Sequence, residues 1–213
     1  LEDPSAPREI LRGHEDKVLS LAFSPDGSRL VTGSRNRQLR IWTLPHAAAS
    51  PLVIARGGAG IAPGIAFEPK GNRLATVFKG ERLMLWRPDA PLEPEQVLGG
   101  PEQRDGTSPV FAPNGRWLAI SPDLNLWDLR RPEAEPFSLE NHGGRVWPRL
   151  AFDPEGRWLG TTGSEDDFVR LWDLSGEVTE RHLVRPEANE KNVVLRDLAF
   201  DPQGRWLATV HSD

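Results

Sequence analysis

Apolar residues in this chain recur at every second position over short runs, and nowhere at the spacing of an amphipathic helix. Between Val18 and Ser24, residues Leu19, Leu21 and Phe23 alternate with smaller or polar neighbours, the pattern of a strand with one face turned inward. Pro25-Asp26-Gly27 then reads as a turn, because Pro presets φ, Asp can bond its own backbone and Gly accepts a positive φ. Leu30–Ser34, Gln38–Thr43 and Leu52–Ala55 follow as three more strands, so that each unit has strands a, b, c and d in chain order. Later runs repeat the second of these at Leu74–Phe78, Trp117–Ile120, Trp158–Gly163 and Trp206–Val210. Short strands joined by Gly/Pro turns, with no helical stretch between them, exclude βαβ winding. Many strands are apolar on both faces, which predicts sheets stacked on sheets.

The pattern is an internal repeat. AFSPDGSRL at Ala22–Leu30 returns as AFEPKGNRL (Ala66–Leu74), VFAPNGRWL (Val110–Leu118), AFDPEGRWL (Ala151–Leu159) and AFDPQGRWL (Ala199–Leu207). The turn glycines Gly27, Gly71, Gly115, Gly156 and Gly204 are spaced by 44, 44, 41 and 48 residues. A second motif follows the first four copies: LRIWTL, LMLWRP, LNLWDL and VRLWDL, carrying Trp42, Trp86, Trp127 and Trp172. Four-stranded units of this period, with Trp-Asp closing the third strand, are the signature of propeller blades. The expectation is an all-β propeller of four-stranded antiparallel blades, four complete plus a partial fifth.

From about Arg8 onward the chain resembles the WD40-repeat family. Gly13-His14 before the first strand, Asn141-His142 as its variant in unit four, and the strand-c Trp residues carry the resemblance. It implies one propeller domain or segment over 8–213 behind a leader at 1–7. Its blades fall at about 13–56, 57–100, 101–140 and 141–188, with a partial blade at 189–213. Residues 8–12 (REILR) would then be the outer strand d of another blade, which makes the chain a segment of a longer propeller protein. Propellers with an SPDG-type turn but without the strand-c Trp are the runner-up family. The resemblance also implies a structural hydrogen-bond tetrad, most complete in unit four: His142, Thr161 or Thr162, Asp166 and Trp172. Unit one has Asn36 where the Asp belongs, so its tetrad is expected to be broken. Trp42, Trp86, Trp127 and Trp172 are expected to be blade-core residues.

Composition narrows the chemistry. There is no Cys, so disulfides, thiolate metal sites and Cys nucleophiles are excluded. Asp and Glu outnumber Lys and Arg by 31 to 26, which argues against a nucleic-acid surface. Among the basic residues only 17, 70, 79 and 191 are Lys, a skew typical of GC-rich bacterial genomes. No apolar run is long enough to span a bilayer as a helix, and a cytoplasmic location without membrane contact is expected. The five His show no metal-binding spacing, no GxSxG elbow is present, and Gly57-Gly58-Ala59-Gly60 lacks the Lys of a P-loop. Asp153 and Asp201 in their Asp-Pro turns read as turn chemistry, since calcium needs many converging oxygens. No catalytic, cofactor or metal residue is assigned.

The strand-b residues Trp117, Trp158 and Trp206 are expected to pack between blades. Arg35, Arg37, Arg145 and Arg149 form a candidate charged rim for a partner. The expected function is a non-enzymatic interaction scaffold for a protein or peptide, the partner-binding or sensor part of a larger bacterial protein, without a cofactor. The alternative is a propeller enzyme or small-ligand binder using the central channel. Open blade edges are expected to favour self-association.

Overall fold

In four of the five repeats the chain reverses through a turn closed by a glycine amide. The amides of Gly27, Gly115, Gly156 and Gly204 donate to the carbonyls of Ser24, Ala112, Asp153 and Asp201 at 2.9–3.0 Å. All four glycines have φ between +66° and +73°, which explains why glycine closes the Pro-x-Gly pattern. The computed structural model describes residues 10–44, 50–55, 64–71, 73–90, 94–103, 107–139, 149–163, 168–184 and 194–212.

These turns organise five consecutive antiparallel sheets. The first holds β1 (Val18–Phe23), β2 (Arg29–Ser34), β3 (Gln38–Thr43) and β4 (Leu52–Ala55). The second holds β5 (Gly64–Phe67), β6 (Leu74–Val77), β7 (Met84–Trp86) and β8 (Gln96–Val97). In the third lie β9 (Ser108–Phe111), β10 (Trp117–Ser121), β11 (Asn125–Asp128) and β12 (Phe137–Ser138). The fourth consists of β13 (Leu150–Phe152), β14 (Trp158–Thr162), β15 (Val169–Asp173) and β16 (Thr179–Val184). A two-stranded sheet of β17 (Val194–Phe200) and β18 (Leu207–Ser212) ends the series. In every four-stranded sheet the spatial order follows the chain order, so each is a simple meander. Ile10–Arg12 lie outside any strand, and among the described residues the fifth sheet is two-stranded.

The register repeats with the sequence. Leu30 lies opposite Trp42, Leu74 opposite Trp86, Leu118 opposite Trp127 and Leu159 opposite Trp172. Because side chains alternate across a strand, each sheet sends one set of residues back and the next set forward. The core therefore lies between sheets, as a chain of apolar clusters. Val31, Leu39 and Ile41 of the first sheet meet Leu74 and Trp86 of the second. Ala75, Leu83 and Leu85 of the second meet Phe111, Leu118 and Trp127 of the third. Trp117, Ala119 and Leu126 then meet Leu159 and Trp172, with Leu150 and Phe152 packed alongside. Val169 meets Leu195 and Leu198 at the last junction. All four strand-c Trp residues are buried. At the forward-facing strand-b position the side chain shrinks from Val31 to Ala75 and Ala119 and then to Gly160, where a Cβ would stand 2.7 Å from Leu198 Cδ1.

Candidate interaction surface

Inside three of the sheets the strand-c Trp is bound to a strand-b Thr. Trp42 Nε1 donates to Thr32 Oγ1 (2.9 Å), Trp86 Nε1 to Thr76 Oγ1 (2.7 Å) and Trp172 Nε1 to Thr161 Oγ1 (2.9 Å). In the first sheet His14 Nε2 lies 2.7 Å from the same Thr32 hydroxyl. An indole nitrogen can only donate, so Thr32 accepts from Trp42 and keeps its own proton free for the imidazole. Gly13 must precede this histidine: its φ is +139°, and a Cβ there would stand 2.7 Å from Arg40 Nη1. Arg40 Nη2 donates to the Gly13 carbonyl at 2.7 Å and holds the segment in place. Burial first, and the Arg40 charge second, hold the His14 pKa below its ordinary value.

In unit one the tetrad is broken at its fourth member, as expected: His14, Thr32 and Trp42 are joined, but Asn36 Oδ1 accepts from the Gln38 amide (3.3 Å) and His14 Nδ1 is buried without a hydrogen-bond partner. In unit four the Trp172–Thr161 link is present, and Thr162 accepts from the Arg149 amide (3.3 Å). His142 and Asp166 lie outside the described residues. Unit three departs in another way: Ile120 occupies the Thr position, and Trp127 Nε1 turns to the carbonyl of Gly99 (2.8 Å). The signal was in the repeat itself, where Thr32, Thr76 and Thr161 align with Ile120.

Each meander puts its b–c turns at one end and its a–b and c–d turns at the other. At the b–c end Arg35 is exposed. Arg37 is committed elsewhere: its guanidinium pairs with Glu81 of the neighbouring sheet and lies 5.5 Å from the centre of the Phe78 ring. Arg149 Nε donates to the carbonyl of Arg196 (3.3 Å), bridging to the fifth sheet. Arg145 is outside the described residues.

At the a–b end the sheets are tied through groups that the sequence did not single out. Asn114 Nδ2 donates to the carbonyls of Glu155 (3.1 Å) and Gly156 (2.9 Å) in the next turn. Arg116 stacks 4.4 Å from the Trp117 ring centre, pairs with Asp128 (2.9 Å) and reaches the Leu174 carbonyl (3.3 Å). Burial pushes the Asp128 pKa up, but the hydrogen bonds from Arg116 and from the Arg130 amide outweigh it and bring it below the ordinary value. Asp153 and Asp201 serve their own turns, their Oδ1 atoms each accepting from a Trp amide at 2.7 Å.

The two end sheets differ from the rest. Strand-a residues face the preceding sheet, as Phe67, Phe111 and Phe152 show. In the first sheet no described sheet precedes them, and Leu21 and Phe23 are 63% and 58% exposed. Strand-b Trp residues face forward: Trp117 is buried against the fourth sheet, whereas Trp206 in the fifth is 73% exposed. The expected inter-blade packing thus holds for Trp117 and does not extend to Trp206. The chain presents two apolar end faces of the same kind as its internal junctions.

Radial four-stranded meanders that bury one sheet against the next define a β-propeller segment. Beyond the fold, residues 5–43 and 135–173 match the family model described as WD domain, G-beta repeat. The chain belongs to the WD40-repeat β-propeller family. Its curated relatives include Striatin-4 of Mus musculus, 29% identical over 171 residues, covering 79% of this chain and 19% of the relative. The histone-binding protein MSI1 of Saccharomyces cerevisiae is 34% identical over 98 residues, covering 43% of this chain and 23% of the relative. The chain thus spans about a fifth of the length of these relatives. A chain in the crystal structure of a mitotic checkpoint complex superposes with a TM-score of 0.70 at 18% identity, over 94% of this chain and 59% of that one. That likeness is one of fold.

Proposed function

We propose that this chain is a non-enzymatic platform for protein or peptide partners, serving as the partner-binding or sensor part of a larger bacterial multidomain protein. WD40 repeats generally mediate protein–protein interaction, and one relative is by name a histone-binding protein. The observation that carries the reading is that turns of successive sheets are bound to one another, Asn114 to Gly156 and Arg37 to Glu81, which holds the loops on a fixed frame; the exposed Leu21, Phe23 and Trp206 add faces open to contact between copies of this chain. Contiguous exposed apolar surface marks protein contact. Stacked sheets joined at every junction also give a stiff frame on which loops can be presented.

Sedimentation of the 213-residue chain over a range of concentrations tests the idea. Association that rises with concentration, and that Leu21→Asp or Trp206→Asp abolishes, is the expected result. A monomer at every concentration, unchanged by either substitution, would overturn the assignment of these faces as contact surfaces.

A further inference from the structure

The turn-on-turn contact of the a–b end is interrupted at one place. A Cβ on Gly156 would stand 2.5 Å from Asn114 of the preceding turn, one on Gly204 3.3 Å from Pro154, and one on Gly115 3.4 Å from Glu68. These three junctions are closed. Around Gly71 the nearest atoms belong to Glu68 of its own turn, and Gly27 has nothing within 4 Å. Between the first two turns lies a cavity of about 370 Å³, lined by Pro25, Asp26 and Arg29 on one side and Pro69, Lys70 and Gly71 on the other.

The hydrogen-bonding groups of this cavity are unevenly used. Asp26 is engaged by its own turn: Oδ1 accepts from Ser24 Oγ (2.6 Å) and the Ser28 amide (3.0 Å), and Oδ2 from Ser28 Oγ (2.8 Å). Those bonds, Ser24 first, hold its pKa down to about 2, so it stays anionic. The nearby Glu68 carboxylate is closed by Arg73 at 2.6 and 3.0 Å. On the donor side, the half-buried Arg29 side chain makes no hydrogen bond among the described residues, and its Nη1 is closed to solvent. Lys70 is exposed and makes no ion pair among the described residues. Two cations against one anion leave the cavity with a single positive charge and unused donors.

We propose that this cavity receives one acidic side chain, a glutamate or aspartate carboxylate, from a protein partner. The claim rests on the platform reading above and names the chemistry of one contact. A carboxylate supplies acceptors for Arg29 and Lys70 and cancels the net charge, whereas a phosphate dianion would overshoot it beside Asp26. The cavity lies at the end of the sheets away from the b–c turns.

Titration of the ¹⁵N-labelled chain with acetyl-Gly-Glu-Gly-amide tests this, with acetyl-Gly-Gln-Gly-amide and inorganic phosphate as parallel arms. Saturable shifts at the amides of Gly27, Ser28, Lys70 and Gly71 with the Glu peptide alone are expected. Arg29→Gln should weaken binding about ten-fold, the weight of a charge-assisted hydrogen bond. Asp26→Asn, which removes a like charge, should tighten it. Lys70→Ala, at an exposed position, gives a second weakened variant should Arg29→Gln lose its dispersed spectrum. Equal shifts with the Gln peptide, tighter binding of phosphate, or Glu-peptide shifts absent from these amides would each overturn the proposal. Sedimentation of the end-face variants is read separately, so the platform reading can fail while carboxylate binding stands, and the reverse.

Discussion

Asn114 Nδ2 donates to the Gly156 carbonyl at 2.9 Å, and through this bond the turn of the third sheet is held against the turn of the fourth. Asn114 also orders its own turn, since its Oδ1 accepts from the Arg116 amide at 2.9 Å. Asn114→Ala is expected to cost about 1–2 kcal/mol, the weight of hydrogen bonds with solvent nearby. Gly156→Ala should cost more, because the new Cβ falls on the Asn114 amide and the backbone there has φ +66°. Urea titrations of the two variants check the order, and Gly156→Ala melting with the wild type would refute the close approach.

Thr32 serves two partners where Thr76 serves Trp86. Thr32→Val leaves both the Trp42 N–H and the His14 ring without their partner and is expected to cost about 2–3 kcal/mol, against about 1–2 for Thr76→Val. Equal losses in denaturant titrations would mean that His14 contributes nothing through Thr32.

Arg37 has a φ of +63°, which costs a residue with a Cβ about 1–2 kcal/mol. Its pairing with Glu81 and its contact with Phe78 offset this. Arg37→Ala keeps the strain and loses the contacts, whereas Arg37→Gly loses both. The expected order of stability is wild type, then Gly, then Ala, the reverse of the usual ranking of these two residues. A double-mutant cycle with Glu81→Gln should return a coupling of about 1 kcal/mol, reduced by salt. Ala at least as stable as Gly would remove backbone strain from the explanation.

His14 makes stability depend on pH. Its pKa is lowered in the folded state, so just below the ordinary value of 6.5 the unfolded chain binds the proton more readily. The stabilisation is complete above 6.5 and is lost as pH falls from there towards the folded pKa. Unfolding titrations at about pH 7.5 and about pH 5.5 should show a loss that is smaller in His14→Gln. The lowered pKa of Asp26 acts in a separate, more acidic window, with its contribution lost as pH falls from the ordinary 3.8 towards about 2. A His14→Gln variant with the wild-type slope between the two titrations would show that the imidazole is not the group responsible.

Residue type alone determined the repeat, the meander and the burial of Trp42, Trp86, Trp127 and Trp172. Pro-x-Gly has one way to turn, and a period of two has one way to alternate, so these features are local and legible. Only the tertiary structure decided what depends on distances between turns of different sheets. It joined His14 to Thr32 across 18 residues although Asn36 stands at the expected Asp position. It also sent Arg37 to Glu81, 44 residues away, rather than to a free rim, because the two b–c turns stack side by side. Trp117 and Trp206 occupy the same position of the repeat, yet one is buried and the other exposed. The difference lies in whether a neighbouring sheet stands opposite. A repeat unit encodes the chemistry of its faces, while burial belongs to the pair of faces that meet.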